Sequence, residues 1–259
     1  MKLTFLGTST SVGIPVIGCD CHICVSKNSR HHRMRSSIHL ETPTHSLLVD
    51  SGPDLRQQAL RHHLTKVDAV LYTHQHLDHI AGFDELRAFC WHREDPLPLY
   101  STPSCLTEIE RVYDWAFSKG NTYKGYIKPL SVPVTTSFNI GDLRITPIPV
   151  EHGSVETIGY RFDDDDSAIA YIPDAKLLKP GSAELLGNLD HLVIDCLRET
   201  EHPTHLSLNE SLSIIADLEP KQAWLTHIAH EMDIIKVESR LPTNVQFAYD
   251  ELILNTTNL

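Results

Sequence analysis

No stretch of this 259-residue chain approaches the ~20 consecutive apolar residues of a membrane-spanning helix, and the opening run Met1–Gly7 is too short for a signal peptide. The expectation is a cytoplasmic protein with no membrane partner. Basic charge is scarce as well: 22 Lys and Arg stand against 34 Asp and Glu, for a formal net charge of −12. Proteins that grip polyanions neutralise many phosphates with Lys and Arg, so nucleic acid is not an expected partner. A small anion stays admissible, because dications bound in one cleft reverse the local field. Six cysteines in a chain of this length argue for reduced thiols, some of them metal ligands, over a disulfide framework. No internal repeat or low-complexity linker divides the sequence, which is read as one domain spanning 1–259. Hydrophobic content of 41% with 22% charged residues excludes wholesale disorder.

What the chain has in excess is histidine, 17 in all. Met1 to Leu6 reads as an opening strand, followed by a Gly- and Cys-containing loop from Gly7 to Cys24. Leu47 to Asp50 and Ala69 to Tyr72 read as short buried strands flanking a helix from Asp54 to His63, whose entry Pro53 and Asp54 mark. Further strands are expected at Leu143 to Ile148, Ile158 to Phe162, Ile169 to Ile172, Leu192 to Asp195 and Ala223 to Leu225, each ending near a polar cluster. Ser207 to Asp217 reads as a helix with a capping box, Ser207 being followed three places on by Glu210. Asp163 to Asp166 reads as a solvated hairpin loop. Strands mixed with surface helices favour a layered α/β arrangement.

The segment Thr73-His74-Gln75-His76-Leu77-Asp78-His79 follows a strand directly and contains H-x-H-x-D-H. Residues two apart project the same way in extended backbone, so His74 and His76 can hold one metal together. Asp78 and His79 lie where a turn can aim them at a second. Nitrogen and carboxylate donors suit zinc, manganese or iron better than calcium. Two metals sharing a water need about six or seven protein groups, so further ligands must come from distant strand ends. His152, Asp174 and His227 each follow an expected strand.

A second cluster, Cys19-Asp20-Cys21-His22-Ile23-Cys24, offers three thiols in C-x-C-x-x-C spacing, three of the four positions around a structural zinc. His230, three residues beyond His227, is the natural fourth ligand, which leaves His22 spare. Cys90, Cys105 and Cys196 lack ligand spacing and read as small core residues. Arg30, Arg33 and Arg35 read as a solvated basic face more than as phosphate contacts.

The H-x-H-x-D-H run with a later His, Asp and His resembles the metallo-β-lactamase superfamily over nearly the whole chain. That resemblance implies an α/β fold of the αββα sandwich type. It also implies one metal on His74, His76 and His152, another on Asp78, His79 and His227, and Asp174 bridging them. Leu6-Gly7-Thr8 and Val49-Asp50-Ser51-Gly52 match family segments that shape the site floor. With the Cys19, Cys21, Cys24 and His230 set added, the chain is similar to the PhnP-type phosphodiesterases, which hydrolyse phosphoribosyl 1,2-cyclic phosphate in phosphonate breakdown. The implied cofactors are two catalytic divalent ions, zinc or manganese, and one structural zinc. Asp78, itself a ligand, and His205, which sits where that family places a catalytic histidine, are the expected catalytic residues. The implied activity is hydrolysis of a small cyclic phosphodiester, the substrate being the expected partner; a homodimer is left open. A lactone, a thioester or RNA are the alternative substrates, and a metal-dependent binding protein without turnover is the alternative of another class.

Overall fold

The computed structural model describes residues 1–118, 120 and 127–256. Its strands are β1 (Lys2–Gly7), β2 (Ser37–Glu41), β3 (Ser46–Val49), β4 (Ala69–Leu71), β5 (Leu97–Ser101), β6 (Pro129–Pro133), β7 (Phe138–Ile140), β8 (Leu143–His152), β9 (Val155–Asp163), β10 (Ala168–Ile172), β11 (Leu177–Leu178), β12 (His191–Asp195), β13 (Gln222–Thr226), β14 (Val245–Phe247) and β15 (Ile253–Asn255). They form two sheets: β15-β1-β2-β3-β4-β5-β6, and β11-β8-β9-β10-β12-β13-β14 with β7 also paired to β8. The helices are α1 (Leu55–Arg61), α2 (Leu77–Ile80), α3 (Arg87–Cys90), α4 (Pro103–Val112), α5 (Asp114–Phe117), α6 (Leu208–Leu218) and α7 (Ile234–Glu238). No helix among the described residues is long and apolar enough to cross a membrane.

Side-chain alternation explains the layering. Along β10 and β12, Ile169, Tyr171 and Val193 face the other sheet, packing with Leu3, Phe5, Leu40 and Val49. Their neighbours Ala170, Ile172, Leu192 and Ile194 face the opposite way, onto Leu208 and Ile215 of α6 and Val237 of α7. Strands apolar on both faces must be covered on both faces, which a helix-flanked parallel segment provides. The first sheet repeats the arrangement, Leu48, Val70 and Leu99 packing outward against Leu55, Phe83, Leu106 and Ile109. The result is the αββα sandwich.

The expected strand, helix, strand unit is present as β3, α1 and β4, with β3 and β4 parallel. The capping box of α6 forms, Ser207 Oγ and Ser207 N both donating to Glu210. Three expectations need correction. First, β8 and β9 pair in unbroken register from Arg144↔Asp163 to His152↔Val155, so His152 ends a long hairpin strand and does not follow a short one. Second, the Asp163–Asp166 loop is only partly solvated: Asp163 chelates Arg161, and Asp164 accepts the Met1 amine at 2.7 Å.

Third, Arg30, Arg33 and Arg35 are not a solvated face. Arg33 is 3% exposed and donates to Thr8 Oγ1 and the Ala248 carbonyl. Arg35 pairs with Asp54, and Arg30 forks onto Glu238. Thr8 relays Arg33 to Asp250, whose carboxylate also accepts from Met34 N. Burial pushes the Asp250 carboxyl up to about 6 against these donors. Removing one member of such a buried charged network strands the other. Arg33→Met keeps the bulk and removes the charge, and it should cost about 3 kcal/mol in denaturant unfolding. An unchanged midpoint would show that the guanidinium adds nothing to stability.

Candidate metal centre

The chain leaves β4 extended. Tyr72 N donates to Tyr100 O and Thr73 N to Asp50 Oδ1, and His76 is still extended when it caps α2. His74 and His76 therefore project together, with His74 Nε2 2.8 Å from His76 Nδ1. His152 brings its Nε2 to 3.3 Å from the same His76 nitrogen. The turn of α2 then swings Asp78 and His79 to the other side. His79 Nε2 lies 3.3 Å from Asp78 Oδ2 and 3.2 Å from Asp174 Oδ2. His227 Nε2 lies 3.3 Å from Asp174 Oδ1 and 3.8 Å from Asp78 Oδ2. Asp174 sits between the two sets, since its Oδ1 is also 3.8 Å from His152 Nε2. The seven residues singled out in sequence thus converge at one end of both sheets.

The donors are held from behind. His79 Nδ1 donates to Asp50 at 2.8 Å, and His152 Nδ1 donates to the Thr204 carbonyl at 2.8 Å. Such outer bonds fix which ring nitrogen is left to face a metal. Asp50 reaches His79 from a left-handed turn (φ 63) after β3. Gly52 and Gly82 let that turn and the turn after α2 touch, where any Cβ would meet backbone oxygens. Burial pulls the His74 and His152 imidazoles towards the neutral, ligating form. Burial also opposes charge on Asp174, but the His227 and His79 rings outweigh it and hold the carboxyl well below its usual range. His79 Nε2, His227 Nε2 and Asp174 Oδ2 are buried without a hydrogen-bond partner. Inward-facing orphan donors of this chemistry fit metal ions.

The thiol cluster forms a second site. Cys19, Cys21 and Cys24 place their sulfurs 3.3, 3.5 and 3.6 Å from His230 Nδ1. Tetrahedral zinc with ordinary Zn–S and Zn–N lengths sets that separation at about 3.6 Å. The Cys24 N–H, helped by His230 and the other thiols, lowers the Cys21 thiol to about 6, whereas burial raises Cys24 to about 11. His22 turns away to Asp233 at 3.0 Å, so it is spare.

His205 lines a cavity of about 520 Å³ with Ser11, Leu77, Ser154 and Thr204 beside the Asp and His set. Its Nδ1 is 2.8 Å from Asp195 Oδ2, and its ring stacks on His227 with centroids 4.8 Å apart. Asp195 and Thr204 were not anticipated from sequence, and Asp50 was anticipated only as part of a floor segment. The available signal was position: Asp50 and Asp195 both stand at the ends of buried strands.

The profile of the beta-lactamase superfamily domain matches residues 45–228. The chain belongs to the metallo-β-lactamase superfamily and is a metal-dependent hydrolase. Within it the chain stands with the PhnP family: a solved structure of a new diphosphatase from that family superposes with a TM-score of 0.90 at 35% identity, covering 98% of this chain and 96% of that one. Zinc-bound PqqB from Methylobacterium extorquens shares the fold, with a TM-score of 0.81 at 23% identity over 98% of this chain and 100% of that chain. An octanoyltransferase of Porphyromonas gingivalis is 33% identical over 257 residues, 97% of this chain but 51% of that protein, so the chain spans about half of that relative's length.

These donor sets predict up to three metals per chain, one resistant to chelators and two exchangeable. Elemental analysis after reconstitution checks the count, and a ceiling of one metal would exclude the binuclear reading. Cys21→Ser should remove one zinc equivalent and lower the melting temperature; unchanged values would dispose of the thiol site.

Proposed function

We propose that the chain is a binuclear metal-dependent phosphodiesterase acting on a small cyclic phosphodiester such as phosphoribosyl 1,2-cyclic phosphate. His74, His76 and His152 would hold one divalent ion, zinc or manganese, and Asp78, His79 and His227 the other, with Asp174 between them. Ions so held supply Lewis acidity towards a phosphoryl oxygen and water activated near neutral pH. The thiol set with His230 would hold a structural zinc. Its thiols need reducing conditions, which suits a cytoplasmic protein.

The observation that carries the reading is His205, a histidine outside the seven-residue set yet packed against it. With Nδ1 engaged by Asp195, Nε2 is the nitrogen left to meet a substrate in the cavity. A departing alkoxide needs a proton, and an imidazole there can give it. Burial pulls His205 towards its neutral form, and the amino terminus of α6 acts in the same direction. An anionic diester in the cavity supplies the opposite field and favours the protonated ring.

The diphosphatase relative makes a diphosphate-bridged ester the second substrate class to test. Octanoyl transfer is not carried over to this chain, which spans only 51% of the octanoyltransferase it resembles.

A metal-reconstituted screen of cyclic diesters, linear diesters, diphosphate esters, lactones and thioesters tests the assignment. Cyclic diesters should lead, and faster lactone or thioester turnover would reject it. Asp174→Asn should abolish turnover in a protein that still folds. His205→Ala should lose ~10²–10⁴-fold in kcat on an alkyl or ribosyl diester but much less on a p-nitrophenyl diester, whose leaving group departs without a proton. Equal losses on both would assign His205 to binding, and no loss on either would leave it a structural role only.

A further inference from the structure

We infer that Asp195 is a shared positioning residue, one carboxylate that sets the ring orientation of both His205 and His227. The inference rests on the proposed roles of those two histidines.

Topology puts Asp195 where it can serve both. It ends β12, which lies between β10, the strand leading to Asp174, and β13, the strand leading to His227. Ser211 Oγ pins its carbonyl at 2.6 Å, and the neighbouring Cys196 N donates to Thr226 O. The carboxylate is fully buried. Its Oδ2 accepts from His205 Nδ1 at 2.8 Å and from Ala175 N at 2.9 Å, next to Asp174.

Its other oxygen is the informative one. Asp195 Oδ1 has no hydrogen-bond partner, and neither has His227 Nδ1, although both are buried. These two atoms lie 4.0 Å apart. A donor and an acceptor, each costly to leave unpaired, face one another in a dry setting. The His205 and His227 rings are nearly parallel, 15° between planes, and both turn Nδ1 towards this carboxylate. In the metal-loaded protein the gap closes to a hydrogen bond. His227 then keeps its proton on Nδ1 and its lone pair on Nε2, the nitrogen beside Asp78 and Asp174.

The test measures metal retention, using zinc or manganese alone. Asp195→Asn, reconstituted and dialysed against graded chelator, should hold one of its two exchangeable ions ~10–100-fold more weakly than the parent. His205→Ala should retain both ions normally, and adding Asp195→Asn to it should reproduce the loss. Wild-type retention in Asp195→Asn would overturn the shared role and leave the carboxylate to His205 alone. Should that variant fold poorly, the zinc-loaded parent decides. Its NMR spectrum should show a slowly exchanging, hydrogen-bonded Nδ1–H assigned to His227, and the absence of that signal would overturn the inference. Neither readout uses phosphodiester turnover, so an error in the substrate leaves the inference standing or falling by itself.

Discussion

Asp174 is 2% exposed, yet both of its oxygens face imidazole nitrogens of residues from distant parts of the chain, His79 on one side and His227 and His152 on the other. Buried polar atoms left unpaired cost roughly 1–3 kcal/mol each, and several lie together here. The arrangement becomes favourable when cations gather the donors. The rest of the fold can be understood as delivery to that point. Two sheets end together, and separate strand ends present His74, His152, Asp174 and His227 from a packed interior. Rigid strands fix these positions more closely than free loops would, and second bonds from Asp50, Thr204 and Asp195 orient the rings.

The thiol site belongs to the same logic. His227 and His230 lie on one segment, so a metal on His230 would restrain the turn that carries His227, whose φ of 58 is left-handed. Between them Ile228 bonds on both sides of its peptide, its N–H to Thr8 O and its carbonyl to Thr10 N, while Ala229 N donates to Leu197 O. The amino-terminal loop, the strand end of His227 and the chain just after Asp195 are thereby tied together. This explains physically why Cys19, Cys21 and Cys24 pair with a residue more than 200 positions away.

The core of this arrangement was legible in the sequence because it is local. H-x-H-x-D-H needs only an extended strand followed by one turn, and backbone geometry does the rest. His152, Asp174 and His227 could be picked out because each closes a strongly apolar strand. The second layer was not legible. Asp195 and Thr204 look like ordinary strand-end and loop residues until the partner ring is in place, and that partner comes from a different element. Arg33 misled for the same reason: its burial depends on Thr8 and Ala248, on opposite ends of the chain. Short strands such as Ser37–Glu41 and Leu97–Ser101 were missed, since polar or proline-bearing segments reveal their pairing only against neighbours.

The charge balance follows from the same geometry. Without cations the cavity presents the carboxylates of Asp78 and Asp174 among imidazoles of mixed state, burial pulling His74 and His152 towards the neutral form while Asp174, Asp78 and Asp50 hold His79 towards the protonated one, in a protein of net charge −12. On the proposed binuclear assignment, two dications would bring four positive charges against those two carboxylates, leaving an excess that one phosphodiester would partly neutralise. Metal and substrate affinity would then be linked, and linkage is reciprocal: whatever the ions add to diester binding, the diester would add to retention of the ions. An acidic protein can in this way confine its attraction for phosphate to the metal-loaded cleft and leave the rest of its surface indifferent to polyanions.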